Sequence, residues 1–234
     1  ADDGIEHSIW IISDAASVEK VTGIFATSVP CTYIADGHHR AASAAKVKNA
    51  ISPNHKDAAF FLTTLFPASQ LQIMDYNRVI KTLNDHTPEE LLALLQQHFE
   101  VEEKGQDAYR PEQLHSFGMY LNKTWYKLTA KPGTFSNDPI GVLDISILQD
   151  KILSPIFNIH DQRTDTNIDF VGGIRGLAEL EKRVDSGEMA IAFSLYPVSI
   201  EQLFDIADSG NVMPPKSTWF EPKLRDGLLT HLIY

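Results

Sequence analysis

Cysteine, basic charge and long apolar runs are all scarce in this chain. Its single cysteine among 234 residues, Cys31, can close no internal disulfide and supplies no metal-ligand spacing by itself. A small buried thiol in a reducing, cytoplasmic compartment is therefore expected. No run of about 18 apolar residues exists, so no membrane-spanning helix is expected. The opening Ala1-Asp2-Asp3-Gly4 lacks the basic and apolar regions of a signal peptide. Only 20 Lys and Arg stand against 31 Asp and Glu, a net charge of −11, and with no global positive field nucleic-acid binding is disfavoured. Internal repeats, low-complexity tracts and long linkers are missing as well. What remains is 43% hydrophobic and 22% charged, which excludes disorder and coiled coil and allows one large domain or two small ones with a substantial core.

Local patterns predict a mixed α/β order. Residues 8–12 read as a strand, and Val18, Val21, Ile24 and Phe25 mark a helix opened near Ser17. Residues 32–35 read as a short strand that ends at Asp36-Gly37, and the alanine-rich stretch after Arg40 has strong helix propensity. The apolar run 58–66 has the length of a central, doubly covered strand. Thr87-Pro88-Glu89-Glu90 is a capping box with proline at the first helical position, and Ser199-Ile200-Glu201-Gln202 is a second box. Residues 117–121 and 125–128 form a hairpin around Asn122-Lys123-Thr124. Helices carry Ile145, Leu148 and Ile152, then Leu177, Leu180 and Val184; residues 189–196 form a strand. The spacing predicts a compact α/β core over residues 8–80, with the best candidate boundary at 131–139.

The sharpest chemical signal is Asp36-Gly37-His38-His39-Arg40 followed by small residues. A glycine between strand and helix lets the backbone turn closely, and the helix's free N–H groups and dipole then favour an anion. His38, His39 and Arg40 add donors to this phosphate seat, with Ser43 beyond them, and Arg40 offers a bidentate fork. Asp36 is placed to hold magnesium or accept a hydroxyl proton, and Asp36 and His39 are the expected catalytic groups. The alternative is that Arg40 pairs with a neighbouring carboxylate and the histidines cap the helix in solvent. Joint metal ligation by His38 and His39 is awkward, because adjacent helical residues point about 100° apart. Asn77 and Arg78 in Asp75-Tyr76-Asn77-Arg78, Arg175 after Gly172-Gly173, and Lys216 in Pro214-Pro215-Lys216-Ser217-Thr218-Trp219 are candidates for a substrate or second anion site. Turn chemistry competes with that role at 75–78, a tight turn for close packing at Arg175, and a solvated loop over an aromatic core contact at Lys216. Lys216-Ser217-Thr218 is no P-loop, since prolines stand where glycines are needed. Lys216, Lys223 and Arg225 beside Trp219 and Phe220 offer charge and stacking.

Asp36–Arg40 resembles the Gly-x-x-Arg phosphate-binding turn of the ParB/sulfiredoxin-like superfamily. Over nearly its whole length the chain resembles the bacterial domain-of-unknown-function 1015 family, through residues 33–40, 75–78, 169–175, 194–197 and 213–223. Members are generally longer, and the chain resembles their C-terminal part. The resemblance implies a ParB/sulfiredoxin-like mixed-sheet core with helical and hairpin additions over 1–130, and a C-terminal α/β region over 131–234 packed on it. It also implies use of a nucleotide, ATP or another, with magnesium. Sulfinic-acid reduction needs a cysteine in the turn, where His38 stands, and a DNA clamp needs a basic helix-turn-helix. A kinase of a small hydroxyl compound remains, free serine leading, and the alternative is a nucleotide- or phosphate-binding regulatory module without turnover.

Overall fold

A computed structural model describes residues 4, 6–51, 55–224 and 227–233. The chain divides into two units, Ala1–His39 and Arg40–Tyr234. Arg225, singled out above, lies outside the described residues. In the first unit, helix α1 (Ala15–Ser28) starts where the Asp14 carboxylate accepts from the Ser17 N–H at 2.8 Å. None of its residues is buried.

The second unit is built on a six-stranded sheet with every pairing antiparallel, in the order β3-β5-β4-β7-β2-β6. The strands are β2 (Tyr76–Ile80), β3 (Phe99–Gly105), β4 (Ser116–Leu121), β5 (Thr124–Ala130), β6 (Ile168–Gly172) and β7 (Ile191–Leu195). A short β1 (Gln72–Met74) pairs separately with β8 (Trp219–Glu221). Strands on both sides of residues 131–139 therefore share one sheet, because β7 lies between β4 and β2.

Period-two alternation distributes the sheet's side chains over two cores. Ile80, Phe117, Met119, Leu128 and Phe193 join one core with Leu91 and Leu95 of α3 (Pro88–Leu95), Ile147 and Leu148 of α4 (Asp144–Leu148), and Ile206 of α6 (Ile200–Asp208). Val79, Tyr120, Trp125, Val171 and Ala192 face the other way and meet Leu180 of α5 (Leu177–Asp185). Cover on both faces explains why β7 is buried along its full length. Two bonds pin α5 to the sheet: the Trp125 indole donates to Glu181 at 2.8 Å and the Tyr120 hydroxyl to Asp185 at 3.0 Å. Burial first, and those acidic neighbours second, push the Tyr120 phenol up to about 12.

Several sequence expectations hold. Both capping boxes form with both of their bonds, and the hairpin closes through Asn122 and Lys123 at φ 48° and 62°, the left-handed pair that a two-residue turn requires. The strands expected at 8–12, 32–35 and 58–66 do not form, and the sheet begins only at Tyr76. Trp10, Ile11, Phe60 and Phe61 are exposed. Apolar content asks for burial, but a strand also needs a facing strand to satisfy its backbone groups, and the sheet recruits β2, β6 and β7 instead. The compact core expected over 8–80 is therefore not found. Among the described residues no helix is long and apolar enough to cross a membrane.

Candidate functional site

Helix α2 (His38–Ala50) begins immediately after Gly37, whose φ of 89° is left-handed backbone that glycine adopts without penalty. The Asp36 carboxylate accepts from the Gly37 N–H at 2.7 Å. No acidic residue occupies the first turn of α2 itself, and Asp36, two residues before its start, is the carboxylate that stands next to the positive end of the helix in sequence. His38, His39 and Arg40 are exposed on that turn, and Ser43 stands one turn above His39 on the same face. At about 1.5 Å per residue, Ser43 lies beyond the first turn, where the free N–H groups are. Among the described residues no group of three His, Cys, Asp or Glu is gathered to hold a metal ion. The Asp36 carboxylate fits magnesium only in the way magnesium accompanies phosphates, with one or two carboxylates and the remaining ligands from water and phosphate oxygens.

The candidates from the rest of the chain converge on β2. Arg78 is fully buried and among the described residues bonds only to neutral acceptors: its Nε donates to Gln162 Oε1 at 3.2 Å, its Nη2 to the Lys216 carbonyl at 2.8 Å, and its Nη1 to the Tyr76 carbonyl. No carboxylate pairs with it among the described residues. Burial pushes the guanidinium down to about 9, which still leaves it charged at neutral pH. Phe170, its partner across β6, places a ring 5.4 Å from the guanidinium carbon. The Lys216 ammonium lies 5.8 Å from the Tyr76 ring centre and 5.9 Å from that of Phe170, and Trp219 packs edge-on against Tyr76 at 5.5 Å.

Asp75 and Asn77 point to the opposite face of β2, as alternation requires. Asn77 donates to Asp75 Oδ2 at 2.6 Å and accepts from the Leu195 N–H at 3.0 Å, just past the paired residues of β2 and β7. Asp75 also accepts from Arg110 at 2.9 Å, while its carbonyl accepts from the Gly173 N–H at 2.8 Å.

These contacts correct the sequence reading. Asp75-Tyr76-Asn77-Arg78 is a strand entrance, and Asn77 and Arg78, expected at a substrate or second anion site, are instead buried with their polar groups on internal partners. Arg175 is exposed on the turn Gly173–Arg175 and faces Glu179 at 3.8 Å. Of the four second-site candidates, Lys216 alone combines exposure with a place beside Arg78. Sequence reasoning missed Arg110 and Gln162, which carry no local signal, since their partners lie 35 and 84 residues away.

The glycines of 172–173 serve close packing. A Cβ on Gly172 would sit 2.5 Å from a Trp219 ring carbon, and one on Gly173 2.4 Å from Asp75 Oδ1. Gly172→Ala is expected to destabilise the protein by about 1–3 kcal/mol, the cost of overpacking, read as a lower urea midpoint with unchanged slope.

Comparison with known proteins bears on the family. The family described as "Protein of unknown function (DUF1015)" matches residues 1–146, a span that ends before the 169–175, 194–197 and 213–223 blocks. No curated protein matches. Among solved structures, the chain is similar to a mutant free serine kinase in complex with AMP, at 15% identity and a TM-score of 0.47, over 88% of this chain and 78% of that one. It is also similar to a conserved hypothetical protein from Pyrococcus furiosus, at 16% identity and a TM-score of 0.41, over 87% and 81% of the two chains. Likeness at that level bears on neither ligand nor activity.

Proposed function

The chain belongs to the DUF1015 family, and we propose that it is a nucleotide-dependent phosphotransferase acting on a small hydroxyl compound, free serine being the leading candidate. One observation carries this reading: α2 starts at His38, directly behind a left-handed Gly37, with an acid-free first turn bearing His38, His39 and Arg40. That is the anatomy of an anion seat, and its resemblance to the ParB/sulfiredoxin-like turn supports a nucleotide's phosphates as the anion. A cytoplasmic setting belongs to the same reading.

In this mechanism the N–H groups of α2 and the Arg40 fork hold the terminal phosphates, and His38 and His39 donate to their outer oxygens. Asp36 accepts the proton of the substrate hydroxyl as its oxygen bonds to the transferred phosphorus and the bond to the leaving diphosphate breaks. In the alternative role of Asp36, its carboxylate would instead hold magnesium entering with the phosphates, and the ion would supply charge neutralisation.

Arg40→Ala is expected to weaken nucleotide binding by about 1.5–3 kcal/mol, the scale of a charge-assisted hydrogen bond, with the fold intact. Asp36→Asn keeps size and capping ability but removes charge, so it should lower turnover by about 10²-fold while nucleotide affinity changes little. Calorimetry and a direct assay of phosphate transfer to amino acids read the two effects. Unchanged affinity in Arg40→Ala removes the seat. Nucleotide binding without transfer would make the protein a regulatory module instead.

A further inference from the structure

The geometry points to a second ligand site, for a phosphate monoester, anchored on Lys216 above the Tyr76–Phe170–Trp219 floor. The inference does not depend on the assignment of the α2 turn, since its evidence lies in β2, β6 and residues 213–223.

Lys216 has a φ of 57°, left-handed backbone like that of Lys123, but it stands outside a hairpin turn and is held by contacts from distant parts of the chain. Here the hold is explicit. The buried Arg78 donates to the Lys216 carbonyl at 2.8 Å, and the next residue, the buried Ser217, donates its hydroxyl to the Pro214 carbonyl at 2.6 Å. The ammonium is thereby set over two ring faces in an exposed position, and among the described residues it makes no ion pair.

Charge selects the ligand class. Arg78 and Lys216 place two positive charges on this face of β2, in a chain whose net charge is −11; among the described residues no carboxylate pairs with either, and the Glu221 carboxylate beside the floor accepts from the Trp219 indole N–H at 2.7 Å. Burying a guanidinium without a counter-charge is costly, and an anion arriving at Lys216 offsets part of that cost through the field of both groups. A phosphate monoester carries close to two negative charges at neutral pH, where a carboxylate carries one. Lysine is suited to it as a point charge, and the partly exposed edges of Tyr76, Phe170 and Trp219 offer apolar contact to the ester's organic part.

The test uses methyl phosphate as probe and the full chain, reading the Trp219 indole N–H resonance, assigned with Trp219→Phe. Saturable shifts are expected at pH 7.5. They should weaken by at least about tenfold in Lys216→Gln, the scale of one lost charge-assisted contact, and remain unchanged in Lys81→Gln, an exposed lysine just past the far end of β2. Acetate should bind more weakly than methyl phosphate. Equal binding in Lys216→Gln, no saturable shift in the wild type, or acetate binding as tightly as methyl phosphate would each overturn the inference.

Discussion

Arg78→Leu is expected to lower the thermal midpoint by about 10 °C, equivalent to about 4 kcal/mol at this size. Two terms of opposite sign compete. Removing the charge relieves the desolvation of a group that is fully buried and held down to about 9. Removing the donors also strands Gln162 Oε1 and the carbonyls of Tyr76 and Lys216. Each buried acceptor left without a partner costs about 1–3 kcal/mol. Exchange of a buried ion pair for apolar residues is often neutral because both partners leave together. Here the acceptors are backbone carbonyls and a glutamine that remain, so the second term wins. Thermal and urea unfolding of Arg78→Leu decide it, and a midpoint equal to that of the wild type would mean that water or chain relaxation satisfies the three acceptors.

Arg78 also marks where the sequence stopped being legible. Thr87 with Glu90 and Ser199 with Gln202 were readable because both partners of each bond lie within four residues. The start of α2 at His38 was readable for the same reason: Gly37 and the alanines after Arg40 determine it locally. Strand pairing is not local. The run 58–66 has more strand-like composition than Asp75-Tyr76-Asn77-Arg78, yet the sheet took the latter, because Phe170 and Phe193 flank Arg78 from β6 and β7, and Gln162 and Lys216 meet its polar end. Those partners lie 84 to 138 residues away for the side-chain bonds. A buried arginine on a sheet face looks like a loop residue until they are known. The same holds for the candidate sites: the turn at 36–40 is contiguous and was found, whereas Lys216 acquires meaning only from Arg78, Tyr76 and Phe170.

Asp144→Asn is expected to leave stability nearly unchanged at pH 4 and to raise it, relative to the wild type, by on the order of 4 kcal/mol at pH 8. Asp144 is buried at the start of α4, where Oδ1 accepts from the His115 N–H at 2.8 Å and Oδ2 is buried without a partner among the described residues. Burial disfavours the charged form and outweighs the His115 bond, so its carboxyl is raised from 3.8 to about 7. A raised acid keeps its proton in the native state after the unfolded chain has released it. The native state therefore binds more protons between about pH 4 and pH 7, and stability falls as pH rises through that window, then levels off above it. Three pH units at about 1.4 kcal/mol each give the expected size. Asparagine is neutral throughout, retains an oxygen for the His115 N–H and does not take part in this loss. Urea unfolding of both proteins from pH 4 to pH 8 measures the difference directly. If the two curves stay parallel, Asp144 titrates alike in the native and unfolded states, and water or a counter-charge must reach its unpartnered oxygen.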